Sequence, residues 1–153
     1  MLHDITLVNT EEQPMAAIHL LAARHELEKL MDPAIQEVLQ AIKEQGMQPA
    51  GPLVAYHHRR PTDTFEFEIG FPVTGAIRPT GRVKASLLPA ARVMRAMHHG
   101  PYEQLAEAWQ QLMEAVKEKG LVGTGRFWEC YLNAPGPDVA PADLRTELNL
   151  VVG

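Results

Sequence analysis

Glu129 is the residue of this chain whose neighbours in sequence look most suited to chemistry. It stands within the apolar stretch Phe127-Trp128-Glu129-Cys130-Tyr131. In an extended strand successive side chains point to opposite faces, so Phe127, Glu129 and Tyr131 share one face. A carboxylate between two aromatic rings is unusual on a solvent-facing strand. If it is buried, its charged form is disfavoured and its pKa rises. A bound cation would offset that cost, and ring faces would add cation–π attraction of about 0.5–2 kcal/mol. Such an arrangement suits lipophilic cations as a class. Two plainer readings fit the same residues: a glutamate exposed on an edge strand, or one paired with an arginine such as Arg145.

Other side chains could complete a site. Trp109 falls on the apolar face of a predicted helix and could roof a groove or simply pack in the core. Tyr56 lies in the segment that repeats the Glu129 strand, as an opposite wall or as a cross-strand packing tyrosine. Tyr102 follows Gly100-Pro101 and reads as a packing residue at a helix start. Arg145 and Glu147 share a strand face and read as an ion pair. Seven histidines raise the question of metal. The pairs His57-His58 and His98-His99 point to opposite faces of their strands, and no HxxxH or HxH spacing occurs, so no metal site is expected. His57 could approach Glu129 across a groove. Cys130 alternates away from Glu129 and reads as a buried, inert thiol. Arg59-Arg60 reads as a solvated turn, and no glycine-rich phosphate loop is present. No cofactor is expected.

The elements that must hold these residues follow from periodicity. The stretch from Ile5 to Ala23, interrupted by Asn9–Gln13 and Pro14, predicts two strand pieces joined by a bend or bulge. The Ala/Leu-rich run from Met15 could alternatively open a helix. Asp32 as N-cap and Pro33 at the first helical position predict a helix start, with Ile35, Val38, Leu39 and Ile42 as its apolar stripe and Gly46 as its stop. Strands are predicted at Leu53–His58 and Thr64–Val73. After a Gly/Pro-rich linker the pattern restarts. A strand broken near Pro89 spans Arg82–Leu88 and Ala91–His98. A helix over Tyr102–Lys119 carries Leu105, Trp109, Leu112 and Val116 on one face. Strands at Arg126–Leu132 and Leu144–Val152 are joined by a Pro/Gly-rich loop over 133–143.

The order is therefore strand–helix–strand–strand, twice. Gly46 and Gly120 are 74 residues apart, as are Gly51 and Gly125, and Leu53 meets Phe127 at the same offset. Two such units bury their apolar faces best as one pseudo-twofold, mostly antiparallel α+β sheet with two helices on one face and a central groove. Residues 1–153 read as one domain, with repeats over about 1–74 and 82–153 and a linker over about 75–81.

Composition narrows the function classes. Apolar residues make up 46% and charged residues 22%, which is ordinary globular composition. No apolar run is long enough to span a membrane. The net charge of −5 is a poor match for a phosphate backbone and a better one for a cationic or neutral ligand. One cysteine supports no disulfide framework, and no basic leader opens the chain, so a cytoplasmic protein is expected.

His99-Gly100-Pro101-Tyr102 followed by Leu105 and Trp109 resembles the signature that opens the second helix of GyrI-like domains. These are the gyrase-inhibitor-like effector-binding domains of AraC- and MerR-type regulators. Gly120, Gly125, Trp128-Glu129-Cys130-Tyr131 and Arg145-Thr146-Glu147-Leu148 resemble the end of that pattern. Gly51-Pro52-Leu53 and Glu68-Ile69-Gly70-Phe71-Pro72-Val73 match its first half more loosely. The resemblance implies a ligand groove between two repeats, with Glu129 at its base facing a positive charge and Glu147 as a support for it. The residues themselves offer Tyr131, Phe127, Trp109 and Tyr56 as its aromatic walls. A strand beginning by Ile5 leaves no room ahead of it for a DNA-binding domain, so a stand-alone domain, monomer or homodimer, without direct nucleic-acid binding is expected. Three functions follow: binding or sequestration of lipophilic, cationic small molecules; hydrolysis of strained cyclopropane-bearing genotoxic natural products, with Glu129 as general base; or a protein-interaction role such as gyrase inhibition. Binding asks least of the site, because no second acid–base partner for Glu129 is evident in the sequence.

Overall fold

The computed structural model describes residues 2–133 and 137–153. The loop predicted over 133–143 falls partly outside them. Strands β1 (Leu2–Asn9) and β2 (Gln13–Ala23) come first, then α1 (Leu27–Glu44), β3 (Leu53–His57) and β4 (Thr64–Pro72). The second half repeats that order as β5 (Lys84–Leu88), β6 (Arg92–His99), α2 (Leu105–Glu118), β7 (Gly123–Tyr131) and β8 (Arg145–Val152). All eight strands form one antiparallel sheet in the order β1-β6-β8-β7-β3-β4-β2-β5. The order is symmetric about the β7–β3 pair, so the pseudo-twofold runs between those strands.

One detail differs from the sequence reading. The two strand pieces before α1 are not one bent strand. β2 pairs β4 within its own half, whereas β1 crosses to the far edge and pairs β6. β5 makes the reciprocal crossing and pairs β2. Each half-sheet therefore borrows its edge strand from the other repeat. The two crossing segments meet where Thr10 N–H donates to the Ala91 carbonyl at 2.7 Å and Ala91 N–H donates to Thr10 Oγ1 at 3.0 Å. Pro89 lies in one crossing, whereas Pro14 lies in β2 opposite Leu87, where its carbonyl accepts from Val73 N–H at 3.0 Å and Gln13 Nε2 donates to the Val73 carbonyl at 3.3 Å.

The second correction concerns α1. Its predicted start at Asp32 is overridden: the helix begins at Leu27 and Pro33 lies inside it. Pro33 cannot donate to the Lys29 carbonyl, a local cost of about 3 kcal/mol. Leu27 and Met31 offset that cost by packing against the core under the helix. Both helices end as the sequence predicts, on Gly46 (φ 74°) and Gly120 (φ 73°) in the left-handed conformation that glycine adopts without strain.

Three apolar clusters hold the sheet. Val38, Ala41 and Ile42 of α1 cover Ile18, Phe67 and Ile69 in the first half. Ala108, Leu112 and Val116 of α2 cover Met94, Leu148 and Leu150 in the second. The opposite face carries Met15, Val54, Tyr56, Val93, Trp128 and Cys130, all buried.

Candidate functional site

Between the two helices, over β3 and β7, lies a cavity of about 580 Å³. Alternation along β7 turns Phe127, Glu129 and Tyr131 into it, as the sequence predicts. Leu27 and Met31 of α1 and Leu105, Trp109 and Met113 of α2 form its sides, and Phe65 and Phe67 of β4 close the first half. Met31 and Leu105 are 74 residues apart, so the cavity straddles the pseudo-twofold and draws matching positions from both repeats. The strand pairing sets Ala55 directly opposite Glu129, and these two are also 74 residues apart. The axis thus brings one carboxylate and one methyl group together, which leaves room above a single buried charge.

The carboxylate is held on both oxygens. Tyr131 OH donates to Oε1 at 2.5 Å and Trp109 Nε1–H donates to Oε2 at 2.6 Å. Glu129 is only 9% exposed. Burial pushes its pKa above the usual carboxylate range, and the two hydrogen bonds partly restrain that rise. The buried Tyr131 hydroxyl beside it is pushed well above the ordinary phenol value, by burial first and by the Glu129 charge second. Among the described residues no lysine or arginine pairs with Glu129. The Trp109 ring meets Phe127 edge-on at 4.8 Å, so the indole both roofs the cavity and orients the acid.

His57 faces the cavity between Phe67 and Phe127, its ring stacked on Phe127 at 4.4 Å. Its Nδ1 is buried without a hydrogen-bond partner, and burial lowers its pKa to about 4. His57 is therefore a neutral wall at physiological pH. Tyr102 also lines the cavity, edge-on to Tyr131 at 5.8 Å, and does more than pack a helix start.

Two sequence-predicted contributors lie elsewhere. Tyr56 pairs in register with Trp128 and not with Glu129, so alternation turns it to the opposite face, where it packs edge-on to Trp128 at 6.0 Å. Glu147 is on that face too. Its cation is Arg95 at 3.4 Å and not Arg145, because β6 and not its own strand supplies the neighbour. Cys130 is buried there, its thiol pushed up to about 12 by desolvation, as an inert thiol requires. Leu27 and Met31 were hidden from sequence reasoning by Pro33, which marked the helix start one and a half turns late. Among the described residues one group, His19, His58 and Glu66, sets three metal-type donor atoms within 4.8 Å of one another, on the face away from the cavity.

The sheet, its two helices and the cavity between the repeats define a small-molecule binding domain. The chain belongs to the family described as the GyrI-like small molecule binding domain, whose model matches residues 3–152. No curated protein matches it in sequence. Among solved structures, the C-terminal domain of EcmrR superposes with a TM-score of 0.83 at 23% identity, over 100% of this chain and 99% of that one. In the complex of EcmrR with DNA the match has a TM-score of 0.82 at 22% identity and covers 97% of this chain, which spans 57% of that one. SAV2435 bound to tetraphenylphosphonium superposes with a TM-score of 0.70 at 11% identity, over 99% of this chain and 94% of that one. A hydrolase from Listeria innocua gives 0.67 at 14% identity, over 97% and 91%. At these identities the likeness is one of fold. Among the described residues no helix is long and apolar enough to cross a membrane.

Proposed function

We propose that the chain binds a lipophilic, cationic small molecule in the cavity between its repeats, with Glu129 as the counter-charge. The observation that carries this reading is a carboxylate at the cavity floor whose two held partners, Trp109 and Tyr131, are neutral donors. A buried anion whose hydrogen-bond donors are neutral is an unfavourable state that a cationic guest relieves. The rings of Trp109, Phe127, Tyr131 and Tyr102 add apolar area and cation–π attraction without demanding one shape. The volume suits a drug-sized guest. The lipophilic cation bound to SAV2435, a protein of the same fold, is of the class proposed here.

Trp109 is its own reporter, since its indole bonds to the acid. Tryptophan quenching by tetraphenylphosphonium, with Trp128→Phe to silence the distant indole, should show micromolar binding. Glu129→Gln should weaken it tenfold or more, about 1.4 kcal/mol. Equal binding by both proteins would overturn the charge-reading role. Mass spectrometry of the recovered ligand separates binding from hydrolysis: an unchanged mass is expected, and a water-added product from a cyclopropane-bearing substrate would instead make Glu129 a general base.

A further inference from the structure

The sheet face opposite the cavity carries a polar cluster that the ligand site does not use. β2 contributes His19, β4 contributes Glu66 and Glu68, and His58 follows β3 directly. Pairing brings them together: His19 is opposite Glu68, and His58 N–H donates to the Glu66 carbonyl at 3.2 Å. His19 Nε2 and Glu66 Oε2 are 3.0 Å apart, and the two imidazoles stack at 5.6 Å. The donor atoms of His19, His58 and Glu66 all lie within 4.8 Å of one another. In a tetrahedral site with zinc–nitrogen bonds near 2.05 Å, donor atoms sit about 3.3 Å apart. The His19–Glu66 edge is already close to that spacing, and rotation of His19 and Glu66 closes the distance to His58. His19 is 55% exposed in its side chain and Glu66 36%, so both can rotate and an ion can reach them.

We propose that His19, His58 and Glu66 form a binding site for a divalent transition-metal ion of the zinc class. Two imidazoles and one carboxylate suit zinc, copper or nickel over calcium or magnesium, which prefer all-oxygen shells. The neighbours are arranged as supports. Glu66 gives Oε2 to His19 and keeps Oε1 for Arg59 Nε at 3.5 Å, so binding through Oε2 leaves that ion pair in place. Glu68 holds His58 Nε2 at 2.5 Å and is itself bonded by Ser86 Oγ, which fixes the ring's place in the cluster. The remaining metal positions face solvent and would carry water.

Isothermal titration of the full chain with zinc chloride tests the site. One ion per chain with micromolar affinity is expected, together with a zinc-dependent rise in melting temperature. His19→Ala and His58→Ala should each weaken binding at least tenfold, and Glu66→Gln severalfold. His3→Ala is the control, because His3 and His99 form another close imidazole contact, at 4.4 Å, away from the cluster. Visible absorption of the Co2+-loaded protein should change in His19→Ala and not in His3→Ala. No saturation below about 1 mM zinc overturns the proposal. So does binding that survives the paired substitution of His19 and His58, or that is lost in His3→Ala. His19 is exposed, so its variant retains the fold and circular dichroism checks that it does.

Discussion

The Glu129 carboxylate is strained by its own burial, and that strain has a sign. A carboxyl group whose folded pKa is raised favours folding while protonated. Its contribution is complete below the unfolded value and declines as pH rises through the folded one. Glu129→Gln should therefore be more stable than the parent at neutral pH, with the difference closing in acid; urea unfolding at both pH values checks this. A cationic guest restores the charged form, so binding should release a proton below the raised pKa. Calorimetry in buffers of differing ionisation enthalpy would read that proton, and affinity should climb with pH across the same range. His57 acts in the opposite direction. It is buried and neutral with a pKa lowered to about 4, so the stability it preserves above its unfolded value of about 6.5 is lost as pH falls toward 4. That window is worth on the order of 3 kcal/mol. His57→Phe should flatten the acid limb of stability between pH 6.5 and 4.

At the scale of elements, packing overrules local preference in identifiable places. Pro33 interrupts the α1 ladder, yet α1 runs on toward its N-terminus because Leu27 and Met31 gain both core and cavity contacts. Pro33→Ala should restore the missing donor and raise the melting temperature, with up to about 3 kcal/mol in play, less what the more flexible unfolded chain takes back. Gly70 shows the reverse case, a residue that packing does not allow to change. A Cβ there would come within 2.0 Å of the Ala16 carbonyl oxygen and 2.7 Å of Ala17 Cα, so β2 and β4 would have to part. Gly70→Ala should cost at least about 2 kcal/mol in chemical denaturation, beyond the range of an ordinary surface change.

At the scale of the whole molecule, the exchange of edge strands between repeats ties the halves together on both sides of the cavity. The charges around the cavity are uneven. Glu129 lies at the floor, while the exposed Arg24 and Arg60 stand along the lining, with the Arg24 guanidinium 5.0 Å above the Phe65 ring. These arginines oppose a cation on its way in, but solvent and salt screen them more than the protein screens Glu129. Arg60→Gln should therefore raise affinity for tetraphenylphosphonium by a factor of about two at low salt, and by less at high salt. Ala55 makes the complementary test of space. Ala55→Leu would fill the room opposite Glu129 and should abolish ligand quenching while leaving the fold intact by circular dichroism.

Much of this was legible along the chain because it is local. The 74-residue repeat, the helix stops at Gly46 and Gly120, and the alternation that sets Phe127, Glu129 and Tyr131 on one face are properties of neighbouring residues. The histidine pair at 57 and 58 divides between faces for the same reason. What remained hidden depends on contacts between distant segments. Tyr56 misses the cavity because antiparallel register places Ala55, not Tyr56, against Glu129. α1 starts early because side chains far along the chain reward Leu27 and Met31. Histidines without ligand spacing in sequence meet a glutamate because three strands bring them side by side. The sequence by itself determined the elements, their order and the candidate acid, since periodicity and capping act over a few residues. Only the tertiary structure decided which wall faces the acid, which charges pair, and which face gathers imidazoles, since register and strand order are set by burial of the sheet as a whole.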